Sequence, residues 1–113
     1  MLWQRAQRNT EGMTRTALSP AEIESALASL PGWSHQGDSL KKRFVFQDHR
    51  EAMSFLVRLS FEAEQRAHHA EIFNVYSRVE LTLRTHDADN RVTELDVALA
   101  RAIEAFVWTH GSP

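Results

Sequence analysis

The chain has 113 residues, 42% hydrophobic and 25% charged, with 13 Lys and Arg against 15 Asp and Glu for a net charge of −2. That describes one ordinary globular domain, and the balanced charge offers no basic stripe to a nucleic acid. The absence of cysteine excludes disulfides, zinc–thiolate sites and thiol nucleophiles, and no apolar run is long enough to span a bilayer.

Residues 1–16 read as a disordered N-terminal extension and 17–113 as the folded domain. Arg5 and Arg8 precede any acidic residue, a bias shared with organellar transit peptides, but the stretch is short, lacks Ser and carries no apolar segment of a secretory signal. Cytoplasm is therefore the expected location.

Ser19-Pro20-Ala21-Glu22 is a helix start, with Ser19 as cap, Pro20 in the first turn and Glu22 completing a capping box. Ile23, Ala26, Leu27 and Leu30 share a face, and Pro31-Gly32 is expected to stop the helix. Trp33 to Gln36 and Leu40 to Phe46 read as a hairpin about Gly37-Asp38, with Leu40, Phe44 and Phe46 on one side and Lys41, Arg43 and Val45 on the other. Asp48 with Glu51 opens a second helix, whose apolar stripe is Ala52, Phe55, Leu56, Leu59 and Ala63. It runs out near Ala67-His68-His69. Phe73 to Thr85 alternates, placing Val75, Val79, Leu81 and Leu83 together, and is long enough that a turn near Ser77 would split it in two. Thr85 to Val92 is a polar loop. Thr93 with Asp96 starts a third helix carrying Leu95, Leu99, Ala102, Ile103 and Phe106. The order α-β-β-α-β-β-α predicts an α+β fold, a four-stranded antiparallel sheet with three helices on one face. Such a sheet leaves an edge strand on which copies of the chain can pair.

Histidine is the one side chain whose charge changes near neutral pH, so a cluster supplies acid and base together. Of six histidines, His35, His49 and His110 lie in polar or terminal contexts and read as solvated. His68 and His69 sit at a helix end and His86 where a strand meets a loop, positions that a sheet-and-helix fold gathers at a rim. Adjacent histidines also serve simply to complement a helix dipole. A zinc site built from them with Glu64, Glu71 and Asp87 is disfavoured, because no His-Glu-x-x-His is present and neighbouring side chains diverge. There is no Gly-x-Ser-x-Gly for nucleophilic catalysis.

The segment Ala63-Glu64-Gln65-Arg66-Ala67-His68-His69-Ala70-Glu71-Ile72 resembles the signature of pterin-4a-carbinolamine dehydratases, in which Ala-Glu leads to His-His-Pro-Glu/Asp. Phe73-Asn74-Val75-Tyr76, Thr85-His86-Asp87, Thr93-Glu94-Leu95-Asp96 and Leu99-Ala100 continue the likeness, as do Leu30-Pro31-Gly32-Trp33 and Phe44-Val45-Phe46 upstream. It spans residues 18 to about 107. The resemblance implies the same fold, assembly as dimers or tetramers, and dehydration of 4a-hydroxytetrahydrobiopterin to quinonoid dihydropterin. That reaction recycles the cofactor of aromatic amino-acid hydroxylases, so pterin is the substrate and no further cofactor or metal is implied. By the same resemblance His68, His69 and His86 are the catalytic and substrate-holding histidines. Ala70, Thr85, Asp87 and Ala88 line the substrate pocket, with Glu64 and Asp96 contributing.

Three departures stand out. Ala70 replaces the usual proline, the loop from Thr85 to Asp96 is one residue longer, and Asp89-Asn90 stands where the family has a glycine pair. Asn and Asp tolerate left-handed backbone, so the turn is expected to survive. The alternative function on the same fold is a non-catalytic binding, assembly or transcription co-regulator protein. Retention of all three histidines favours the enzyme.

Overall fold

The computed structural model describes residues 15–107. All but Arg15 and Thr16 of the expected N-terminal extension lies outside the described residues, as does His110.

The predicted caps form. Ser19 Oγ accepts from the Glu22 N–H at 3.2 Å and Glu22 Oε1 accepts from the Ser19 N–H at 2.9 Å, opening helix α1, Pro20–Leu27. This helix stops earlier than Pro31. Ser29 N–H turns back to Ala26 O and Leu30 N–H to Leu27 O, tightening the chain before Pro31, whose ring disfavours helical backbone in the residue ahead of it. Strands β1, Ser34–Gln36, and β2, Ser39–Val45, make the expected hairpin, with Gly37 at φ +61° in the turn. Asp48 Oδ1 accepts from the Glu51 N–H at 2.9 Å and starts helix α2, His49–Gln65.

The long alternating segment is two strands, β3, Glu71–Val75, and β4, Arg78–Leu83, reversed at Tyr76-Ser77. The two-residue turn overturns one expected core position. Val75 pairs with Arg78, and cross-strand partners share a face, so Val75 lies on the face opposite Val79 and is half exposed. After β4 come a 3-10 turn, His86–Ala88, and helix α3, Glu94–Phe106.

The sheet is antiparallel throughout, in the order β1-β2-β4-β3. One core joins it to the helices: Ile23 of α1, Ala52, Phe55 and Leu59 of α2, and Val97, Leu99, Ala100 and Ile103 of α3, against Leu40, Phe44, Val79, Leu81 and Leu83. Lys42 shares the inner side with Leu40 and Phe44. Its ammonium lies 4.9 Å from the Phe44 ring and donates to Glu104 Oε2 and Pro31 O, each at 2.8 Å, so the stem is buried while the charge is paired. Among the described residues no helix is long and apolar enough to cross a membrane.

Candidate active site

The end of α2 turns sharply. Ala67 N–H bonds to Glu64 O and His68 N–H to Ala63 O, with Ala67 at φ +51°. This is a Schellman closure with alanine where glycine is usual. It reverses the chain after Arg66 and directs His68 inward and His69 outward: His68 is 8% exposed, whereas His69 is mostly in solvent.

His68 Nε2 lies 2.6 Å from Asp96 Oδ1. Asp96 is the third residue of α3 and has no exposed surface. Its other oxygen, Oδ2, accepts from the Thr93 N–H at 2.9 Å and the Thr85 hydroxyl at 2.8 Å. The Thr85 hydroxyl has one proton and gives it to Asp96. In the 2.6 Å contact between Thr85 Oγ1 and Thr93 Oγ1 the donor is therefore Thr93, whose oxygen accepts in turn from the Leu95 N–H. The helix N-terminus and these donors make a buried place for a carboxylate. As a carboxylate Asp96 only accepts, so the proton of the pair sits on His68 Nε2 and leaves Nδ1 for other chemistry. The arrangement orients the imidazole by one nitrogen and leaves the other to exchange a proton, which suits an acid–base role.

His86 follows Thr85 directly, so the hydroxyl that holds Asp96 also anchors the backbone presenting this second ring. The ring is exposed, with Nδ1 3.2 Å from Asn90 Oδ1. His69 Nε2 pairs with Glu64 Oε1 at 3.1 Å, both in solvent. Ala70 is partly buried and packs on the core. Asp87 is exposed, 3.5 Å from Arg15. Ala88 works through its backbone, its N–H bonding to Thr85 O and its carbonyl accepting from the Arg91 N–H. The structure thus joins His68, Thr85 and Asp96 in one network, with His86 covalently next to it. His69 with Glu64, and Asp87, stand at the surface beside it. Thr93 had been legible only as a helix cap. Its sequence signal is the three-residue spacing to Asp96 that marks a helix start, whereas the contact with Thr85 comes from tertiary packing. Among the described residues no three His, Cys, Asp or Glu side chains converge as metal ligands.

Residues 16–106 match the family model described as pterin 4 alpha carbinolamine dehydratase. A provisionally named pterin-4-alpha-carbinolamine dehydratase of Opitutus terrae is 50% identical over 93 residues, covering 82% of this chain and 96% of the relative. One of Thermomicrobium roseum with the same provisional name is 46% identical over 86 residues, covering 76% of this chain and 91% of its own length. A crystal structure from Brucella melitensis, titled a transcriptional coactivator/pterin dehydratase, superposes with a TM-score of 0.76 at 38% identity, covering 80% of this chain and 97% of that one.

Proposed function

The chain belongs to the pterin-4a-carbinolamine dehydratase family, and from that membership we propose that it is a hydro-lyase expelling water from a 4a-hydroxytetrahydropterin by histidine acid–base catalysis. The observation that carries the reading is the buried His68–Asp96 pair at 2.6 Å. The substrate has a hydroxyl on C4a beside the N5–H. Hydroxide leaves poorly, so His68, oriented by Asp96, acts in its protonated form and gives its Nδ1 proton to that oxygen. The C4a–O bond breaks, the N5 electron pair forms the C4a–N5 double bond, and the N5 proton passes to a neutral imidazole or water. Water and quinonoid dihydropterin result, with no change of oxidation state. One well-placed acid or base contributes about a hundredfold to ten-thousandfold.

In this reading His86 is the second proton-exchanging group and His69 holds substrate, with Glu64, Ala70, Thr85, Asp87 and Ala88 about it. The physiological role is recycling the cofactor of an aromatic amino-acid hydroxylase. Self-association fits the open side of β3, where Ile72, Phe73, Val75 and Tyr76 are each half or more exposed at the sheet edge. Sedimentation of wild type against Phe73→Glu tests that point, with a lighter species expected for the variant. The Brucella protein is also described as a transcriptional coactivator, which keeps a binding role as the second reading. The enzyme reading is tested by adding purified protein to 4a-hydroxytetrahydropterin generated by a phenylalanine hydroxylase. Faster loss of the intermediate, reduced in folded His86→Ala, supports it; no acceleration by folded wild type leaves the binding role.

A further inference from the structure

The loop after β4 is pinned at both ends. Thr85 N–H bonds to Arg91 O at 2.9 Å, and the Thr85 hydroxyl is held by Asp96. At its tip Arg91 N–H bonds to Ala88 O at 3.1 Å, and both residues between them, Asp89 at φ +56° and Asn90 at φ +61°, are left-handed. Two positive φ values closed by such a bond make a type I′ turn, which Asn, Asp and Gly accept. Glycine would satisfy the backbone equally, so the turn alone gives no reason for an asparagine. The side chain supplies one: it folds back four residues to place Oδ1 3.2 Å from His86 Nδ1.

We propose that Asn90 is a positioning residue that holds His86 with its proton on Nδ1, so that proton exchange with the pterin takes place at Nε2. An amide oxygen is an acceptor only, so the nitrogen facing it carries hydrogen. That Nδ1–H is present in both the neutral ring and the imidazolium. The contact therefore survives the change of charge that acid–base work requires, while Nε2 gains and loses the proton. Fixing one ring nitrogen through the hydrogen bond of the other is how histidine tautomers are generally set. The contact is exposed and competes with water, so its effect is modest rather than all-or-none.

This inference rests on the dehydratase reading only for its kinetic consequence, and the tautomer is measured without substrate. In full-length protein labelled with nitrogen-15 at histidine, long-range proton–nitrogen correlation at about pH 8, where imidazoles are mainly neutral, is expected to show His86 protonated at Nδ1. Asn90→Gly keeps the left-handed turn and deletes the acceptor. It is expected to move His86 toward the Nε2–H form and lower kcat about three- to tenfold with KM little changed. Asn90→Asp retains an acceptor and is expected to keep Nδ1–H. An Nε2–H tautomer in wild type, or an Asn90→Gly spectrum indistinguishable from wild type, overturns the proposal. A tautomer that shifts in Asn90→Gly while wild type has no dehydratase activity upholds the positioning role and sinks the proposed reaction instead.

Discussion

His68 Nε2 and Asp96 Oδ1 meet at 2.6 Å across 28 residues of sequence, tying the end of α2 to the start of α3. Asp96 caps a helix with one oxygen and orients a histidine with the other, so a single side chain couples fold and chemistry.

Replacing that carboxylate by an amide tests the coupling. In Asp96→Asn one ring-facing or cap-facing position becomes a donor, and it meets either the His68 N–H or the Thr85 and Thr93 donors. A buried donor left without an acceptor costs about 1–3 kcal/mol. Urea denaturation is expected to show a loss of that size. The rate of pterin dehydration is expected to fall by about a hundredfold or more in protein that is still folded.

Thr85 is expected to matter by its hydroxyl rather than its shape. Thr85→Val keeps the volume but removes the donor to Asp96 and the acceptor for Thr93. A loss of about 1–2 kcal/mol is expected, with kcat reduced, whereas Thr85→Ser restores both. Equal effects of Val and Ser would assign Thr85 to packing.

Ala67 occupies a left-handed position at φ +51°. An L side chain there costs about 1–2 kcal/mol, offset in part by the greater freedom glycine has when unfolded. Ala67→Gly is therefore expected to raise stability by about 0.5–1 kcal/mol, and β-branched Ala67→Val to lower it. Both are read by denaturant midpoint at unchanged slope.

The helix α2 charges give a pH signature. Partial burial pushes the Glu62 carboxyl up, but hydrogen bonds from Arg66 and Arg58 outweigh it and hold the group below its ordinary 4.5. A carboxyl that titrates lower when folded stabilises the fold above its unfolded value and loses that contribution as pH falls through the lowered one. Glu62→Gln is expected to cost about 0.5 kcal/mol near pH 7 and less near pH 3. A gap that stays constant with pH would contradict the ion pairs.

The parts of this molecule that were legible from sequence are those set by neighbours along the chain. The Ser19–Glu22 and Thr93–Asp96 boxes and the Asp48 cap each span three residues, and all three form as read. The β3–β4 reversal was less clear because its turn uses Tyr76 at φ +51° rather than a glycine, and the alternation runs on through it. That masked turn put Val75 on the wrong face. The histidines stood out by type and place, yet what Asp96 does for His68 depends on packing between two helices, which no local pattern encodes. Likewise Asn90 reads as a turn former, and its reach to His86 emerges only once the turn is closed.

The most direct test is the single-turnover loss of 4a-hydroxytetrahydropterin with wild type and His68→Ala side by side, both shown folded by circular dichroism. Wild type is expected to accelerate the loss and His68→Ala to retain about one hundredth of that acceleration or less. Acceleration left intact in folded His68→Ala would contradict the assignment of the acid to the Asp96-bound histidine.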